Sequence, residues 1–233
     1  MEFGPQIIFE IPIFGGIPIT DTVVNTWIIM IALTIFAIVS TRVMKKVPTG
    51  KQNVVEALVE VINNLTSQTM GEDKKYFSSY IGALFLFITV SNVLGLVGLR
   101  PPTADVNTTF ALAALTFLMI HFFGAKSKGV GGYLKGFMEP FPFMLPLNII
   151  SELATPVSLS FRLFGNIVGG LIIMALAYGG LLSVSEAVGL EFFPIFQAGI
   201  PVALHLYFDI FAGVLQSFIF IMLTMVFVSV AMD

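Results

Sequence analysis

Four ionisable residues lie inside the two longest apolar stretches of this 233-residue chain, namely Glu152, Arg162, His205 and Asp209. Moving an arginine to the middle of a bilayer costs between about 3 and more than 10 kcal/mol, so an arginine there indicates a function. A side chain that reached the lipid headgroups would avoid that cost. Arg162, however, is followed by about twenty mostly apolar residues. We therefore interpret Arg162 as a functional cation held deep in the membrane.

Small and polar residues follow Arg162 at helical spacing. Three, four, seven and eight residues later come Gly165, Asn166, Gly169 and Gly170. A strip of this kind allows the backbone of another helix to come very close. Two interpretations stay open at this point. The strip could pack the chain's own helices through Gly165-x-x-x-Gly169, or it could face a sliding partner that carries a carboxylate.

A second polar line runs along the last apolar stretch. Asp209 follows His205 by four residues, and Gln216 follows Asp209 by seven. At about 100° per residue these three side chains lie within about 40° of one another on a regular helix. The line predicts a hydrated path or an interhelical hydrogen-bond network, and a His-Asp pair with a purely structural role is the alternative.

These groups together suggest a mechanism for moving a cation. Glu152 precedes Arg162 by ten residues, nearer the beginning of its stretch. Arginine stays charged at any accessible pH. Protonatable groups at two depths, separated by a permanent cation, would form two half-paths that do not join. An ion would then have to leave the chain and ride on a partner's carboxylate in order to cross.

The composition predicts a membrane protein and excludes several function classes. Hydrophobic residues make up 57% of the chain, charged residues 11%, and the mean hydropathy is +0.97. Soluble domains carry about a quarter charged residues.

A net charge of −3 argues against nucleic acid as a partner. The chain has no cysteine, two histidines outside any HExxH pattern, and no Walker A or GxGxxG motif. We expect no metal, no cofactor and no catalysis by the chain itself, so nucleotide chemistry must belong to a partner.

The apolar stretches that must position these residues predict five membrane crossings. About 20 residues cross the hydrocarbon layer, and residues 22–41, 77–98 and 108–124 fit that length. Residues 141–182 and 193–232 are too long, because a 40-residue helix measures about 60 Å. Each of these two must be broken or strongly tilted, and Pro156 and Pro201 could bend them.

Charge and periodicity complete the predicted architecture. Basic residues concentrate after the first and third spans, while residues 1–21 carry none, so the positive-inside rule places the amino terminus outside and the carboxyl terminus in the cytoplasm. Residues 50–70 predict an amphipathic helix on the cytoplasmic surface, or one standing in solvent against a partner. The fold class is an all-α polytopic membrane protein. It forms a single membrane domain of five membrane-crossing helices, the last two long and strongly tilted, plus one amphipathic surface helix.

Two sequence strings carry a family resemblance. Pro156-Val-Ser-Leu-Ser-Phe-Arg162-Leu-Phe-Gly-Asn166 and Leu215-Gln216-Ser-Phe-Ile-Phe-Ile-Met-Leu223 resemble the signatures of subunit a of F-type ATP synthases. The likeness covers most of the chain. It implies a stator subunit in the F0 sector of a rotary motor, in a membrane that we expect to be a bacterial plasma membrane. The implied partners are a c-ring, peripheral-stalk b subunits, lipid, and the translocated H⁺ or Na⁺.

The resemblance also implies residue roles. Arg162 would face the ring carboxylates and keep two half-channels apart. Asn166 and Gln216 would line the interface with the ring, next to Gly165, Gly169 and Gly170. Asp209, supported by His205, would belong to the exterior half-channel, and Glu152 to the cytoplasmic side.

The chain departs from several bacterial forms at two positions. It has Leu171 where they carry a glutamate and Asp209 where they carry a histidine. The exterior carboxylate thus moves from one helix to the other. A self-contained channel or secondary transporter, and a non-conducting scaffold, are the alternatives from other function classes.

Overall fold

A computed structural model describes residues 4–12, 16–42, 44–47, 49–189 and 195–233. Two strands come first in the chain, β1 (Ile7–Ile11) and β2 (Ile17–Thr20). The helices that follow are α1 (Asp21–Thr41), α2 (Lys51–Met70), α3 (Ser78–Val93), α4 (Val106–Lys128), α5 (Val130–Gly136), α6 (Leu145–Ala187), α7 (Ile195–His205) and α8 (Gly213–Met232). A π-helical segment, Leu206–Ala212, joins α7 to α8.

Five helical stretches of the described chain are long and apolar enough to cross a membrane. They are Asp21–Thr41, Glu72–Val97, Val106–Lys128, Pro142–Ala187 and Gly199–Met232. The predicted all-α polytopic fold is therefore confirmed, and the helix bounds differ from the predicted spans by a few residues. Residues 193 and 194, at the start of the last predicted stretch, lie outside the described residues.

Helix α6 continues through Pro156 without a break. It contains 43 residues, and at 1.5 Å per residue it measures about 65 Å. A straight helix of that length fits about 30 Å of hydrocarbon only when it is strongly tilted. The structure therefore shows α6 unbroken, and its strong tilt in the membrane stays a prediction.

The distribution of buried residues is that of a chain dissolved in lipid. Large apolar side chains such as Ile31 and Leu176 are exposed, as expected where hydrocarbon surrounds the helices. The core lies between α3, α4, α6 and α8, where Ile88, Leu163 and Met225 are fully buried. These four helices form the frame that positions the polar residues described below.

Helix α2 packs one face against the core. Ile62 and Met70 are buried there, next to α3 and α8. Gly82 of α3 allows this approach, since a Cβ at that position would lie 3.3 Å from the Ile62 side chain. Val54, on the same predicted apolar face, is 72% exposed. The apolar face of α2 is therefore buried against the core at Ile62 and Met70 and exposed at Val54.

The antiparallel hairpin β1–β2 was not predicted from the sequence. Its strands are short and rich in isoleucine, a β-branched residue that favours strands. Arg100, in the loop between α3 and α4, donates a hydrogen bond of 2.6 Å to the Gly4 carbonyl. The backbone N–H of Gln6 donates to the Asp21 carboxylate. These contacts hold the hairpin beside the start of α1 and the α3–α4 loop.

Candidate functional site

Arg162 lies on an open face of α6. Its side chain is exposed, and it makes no hydrogen bond or ion pair with any residue that the structure describes. Gly165 and Gly169 follow on the same face, and a Cβ built at either would meet no atom within 4 Å. The surface of α6 beside the guanidinium is therefore smooth and uncovered at Gly165 and Gly169 within the described part of the chain.

Asn166 and Gly170 lie toward the inner side of α6. The Asn166 amide donates a hydrogen bond of 3.4 Å to the Ala212 carbonyl. A Cβ at Gly170 would lie 3.5 Å from the Cβ of Phe208. The small-residue strip thus divides between the two interpretations: Gly170 packs the chain's own helices, whereas Gly165 and Gly169 face outward.

A hydrogen-bonded chain links α6 to the π-helical segment. His205 Nδ1 lies 2.5 Å from the Asp209 carboxylate, and its Nε2 lies 3.2 Å from the Tyr178 hydroxyl. The side chain of Asp209 is 14% exposed. Both imidazole nitrogens therefore have partners, which fix the orientation of the ring and hold the carboxylate in place.

Asp209 lies within the π-helical segment, and this changes the predicted polar line. π turns are rare and frequently mark functional sites. They contain more residues per turn than an α-helix, so the assumed step of 100° per residue does not hold between Asp209 and Gln216. Gln216 is 6% exposed, and its Nε2 has no hydrogen-bond partner among the described residues. A buried, unpaired amide of this kind indicates a place for an ordered water or another ligand.

A cavity of about 760 Å³, which we call the hairpin vestibule, lies between the β1–β2 hairpin, the α3–α4 loop and α6. Its polar lining includes Gln6, Asp21, Asn25 and Arg100, and Gly95 also lines it. A Cβ at Gly95 would lie 3.8 Å from both Cγ and Oδ1 of Asp209. Gly95 is thus the residue that borders both the vestibule and the Asp209 carboxylate.

Glu152 lines a different cavity, of about 570 Å³, between α4, α5, α6 and α8, which we call the connector vestibule. A smaller cavity of about 190 Å³ shares Ser151, Thr155 and Phe227 with it and is also lined by Ser158 and Arg162. The hydroxyl-bearing residues Ser151, Thr155 and Ser158 therefore line the space that leads from Glu152 toward Arg162.

A buried polar cluster next to Asp209 was missed by the sequence reasoning. The Asn92 amide donates to the Gly213 carbonyl at 2.8 Å and to the Ser217 hydroxyl at 3.2 Å, and its oxygen accepts from Thr103 at 2.7 Å. An asparagine inside the apolar stretch 77–98 was the available signal. Tyr178 gave no comparable signal, because no spacing rule connects it to His205.

Comparison with known proteins decides the family. Residues 23–229 match the model of the family described as ATP synthase A chain. The chain belongs to this family. "ATP synthase subunit a, sodium ion specific" of Propionigenium modestum is 36% identical over an alignment of 257 positions, gaps included. That alignment covers 97% of this chain and 84% of that protein. "ATP synthase subunit a" of Moorella thermoacetica is 36% identical, with 94% of each chain covered. The protein of the same name from Geobacter sulfurreducens is 36% identical, covering 91% of this chain and 88% of that one.

Membership of the ATP synthase A chain family indicates the general function of the chain. The chain is an ion-translocating stator subunit of the membrane-embedded F0 sector, a non-catalytic part of the synthase. Nothing in the comparisons favours the alternative of a self-contained channel or secondary transporter.

Proposed function

We propose that the chain provides two offset half-paths for H⁺ or Na⁺, which meet a c-ring carboxylate on opposite sides of Arg162. The ion would enter on one side, bind to the ring, and leave on the other side only after the ring has turned. The observation that carries this proposal is the exposed, unpartnered guanidinium of Arg162 on an open face of α6. A cation in lipid needs an opposite charge, and the described chain supplies none beside it.

The smooth surface beside Arg162 suits a moving partner. Gly165 and Gly169 have no side chains, so a helix of the ring could pass close to the α6 backbone. Two unit charges 4 Å apart interact by about 4 kcal/mol at an effective dielectric constant of 20. That attraction is strong enough to draw a ring carboxylate to Arg162, and a migrating cation would be repelled by as much.

The cytoplasmic half-path would begin in the connector vestibule. Glu152 is half-buried there, and the smaller cavity leads from Ser151 and Thr155 past Ser158 to Arg162. The ten residues between Glu152 and Arg162 correspond to about 15 Å of helix. We propose that Glu152 exchanges ions with cytoplasmic water and that the hydroxyls carry them to the ring.

The exterior half-path would begin in the hairpin vestibule. Ions would pass Gly95 to reach Asp209, whose carboxylate is held by His205. From there the path would continue toward the unpaired amide of Gln216 and toward Asn166 on the inner side of α6. A carboxylate, an imidazole and two amides in apolar surroundings form a chain of groups that can stabilise a proton or a hydrated cation.

We propose the orientation of the chain from the distribution of its basic residues, and its partners from its place in the F0 sector. By the positive-inside rule, the basic residues after the first and third spans support a cytoplasmic location for those loops and an exterior amino terminus. The c-ring would contact the Arg162 face, and peripheral-stalk b subunits and lipid would cover other surfaces. Nucleotide binding would belong to other subunits of the synthase.

ATP-driven ion pumping by the complete synthase in membrane vesicles tests the proposal. We expect Arg162→Ala to abolish pumping while the complex still assembles, because the charge that separates the half-paths is gone. Arg42→Ala, at an exposed position after α1, is the matched control and should pump normally. Undiminished pumping by the Arg162→Ala complex would overturn the proposed function.

A further inference from the structure

Two asparagine amides meet the junction at which the π-helical segment gives way to α8. The Asn92 amide of α3 donates to the Gly213 carbonyl at 2.8 Å. The Asn166 amide of α6 donates to the preceding carbonyl, that of Ala212, at 3.4 Å. Ala212 is the last residue of the π-helical segment, and Gly213 is the first residue of α8. Side-chain donors from two different helices therefore hold consecutive carbonyls at this junction.

Asn92 is held closely against the junction. It is 2% exposed, and a Cβ at Gly213 would lie 3.1 Å from its Cβ, so the missing side chain allows α3 to approach α8. The amide oxygen of Asn92 accepts from the Thr103 hydroxyl at 2.7 Å. That bond fixes which end of the amide is the acceptor, so the NH₂ group points at Gly213 and Ser217. Both ends of the amide are engaged, which makes Asn92 a rigid donor at this crossing.

The register of the π-helical segment decides which way Asp209 faces. A π turn contains one residue more than an α turn. If the segment relaxed to a regular α-helix, its residues would turn by up to about 100° relative to α8 and shift by up to about 1.5 Å along the axis. Asp209 lies within the segment, and its Cγ lies 3.8 Å from the position of a Cβ at Gly95 on α3. Relaxation of the segment would therefore turn the carboxylate away from Gly95.

We propose that Asn92 is a positioning residue for Asp209. Its amide fixes the junction at Gly213 and keeps the extra residue within the π-helical segment. The Asp209 carboxylate therefore stays beside Gly95, at the edge of the hairpin vestibule. Asn92 acts on the backbone of the last helix, and Asn166 supports the same junction from α6 through a longer hydrogen bond. The inference rests on the proposed place of Asp209 in the exterior half-path.

The test measures the rate of disulfide formation in the assembled synthase, between cysteines introduced into this chain, which has none of its own. The first pair, Gly95→Cys with Asp209→Cys, reports the direction in which position 209 faces. The second pair, Thr116→Cys with Thr224→Cys, reports the packing of α8 against α4, because the two hydroxyl oxygens lie 3.2 Å apart. We expect Asn92→Ala to slow the first pair about tenfold, the effect of one buried hydrogen bond, and to leave the second pair unchanged.

Two further variants make the result specific. Thr103→Val keeps the shape of the side chain but removes the hydroxyl that orients the Asn92 amide, so it should slow the first pair less than Asn92→Ala does. Ser91→Ala removes a fully buried hydroxyl of α3 that has no hydrogen-bond partner among the described residues, and it should leave both pairs unchanged.

An unchanged rate for the first pair in Asn92→Ala would overturn the inference, and so would equal slowing of both pairs in Asn92→Ala and Thr103→Val. ATP-driven pumping by Asp209→Asn is measured in parallel, in a chain without introduced cysteines. A wild-type rate of pumping in that variant would overturn the proposed exterior half-path instead.

Discussion

Enlarging the side chain at position 95 tests whether ions reach Asp209 from the hairpin vestibule. Gly95 lies in a 3₁₀ turn, Leu94–Val97, a conformation that any L-residue adopts. Substitution there changes the size of the opening without demanding an unusual backbone. The comparison of Gly95→Ala with Gly95→Val therefore separates blockage of the opening from the loss of glycine as such.

The magnitude follows from the distances around Gly95. A Cβ would lie 3.8 Å from Asp209 Oδ1 and 3.7 Å from Pro101 Cγ, which is ordinary van der Waals contact. Each further carbon extends the side chain by about 1.5 Å. A valine methyl that points at the carboxylate would thus approach to about 2.3 Å and must displace it. Overpacking of this kind costs about 1–3 kcal/mol; a transport step that bears this cost would slow by about 5- to 160-fold.

The assay is ATP-driven pumping by the complete synthase, together with the rate at which a small charged thiol reagent modifies a cysteine placed at position 209. The chain has no native cysteine, so the label would report that position within it. We expect Gly95→Ala to retain most activity, and Gly95→Val to slow pumping and labelling by about tenfold. Val97→Leu, at an exposed position of the same turn, is the control. Wild-type pumping and labelling in Gly95→Val would refute the proposed entry route.

Three further predictions concern the other polar and small residues. Asp209→Asn should reduce pumping about tenfold or more, whereas Asp209→Glu should keep part of it; a wild-type rate in Asp209→Asn would exclude a role for the carboxylate. A Cβ at Gly169 would meet no described atom within 4 Å, so the Gly169→Leu subunit should fold normally while coupled transport falls; normal coupling would show that the ring does not approach this face. Asn92→Ala removes the acceptor of the buried Thr103 hydroxyl and one of the donors to the Gly213 carbonyl, which keeps the Ser217 hydroxyl as a partner. This loss should lower the free energy of unfolding by about 1–3 kcal/mol. Denaturation of the purified subunit in detergent measures that change, and an unaltered stability would contradict the importance of the cluster.

Much of the architecture could be predicted because hydrophobic length and charge govern a membrane protein directly. The apolar stretch 22–41 became α1, and the stretch 108–124 lies within α4. The amphipathic pattern of residues 50–70 became α2. The hairpin β1–β2 could not be predicted, because its strands are short and are held by tertiary contacts such as the bond from Arg100 to Gly4.

The candidate site could be predicted only in part, for a similar reason. An arginine among apolar residues is visible in the sequence, and the four-residue spacing of His205 and Asp209 correctly indicated their contact. Regular helical geometry could not reveal the π-helical segment, which changes the relation of Asp209 to Gln216. Nor could it reveal the contact between Gly95 and Asp209, because the two residues come together only when α3 packs against the last helix.

The most direct test of the central claim is the position of the Arg162 guanidinium in the assembled ATP synthase, determined by electron cryomicroscopy in its rotary states. We expect the guanidinium to lie within about 4 Å of a ring carboxylate in at least one state, and Gly165 and Gly169 to lie against the ring. A guanidinium bound to another residue of this chain, or pointing into lipid headgroups away from the ring in every state, would contradict it.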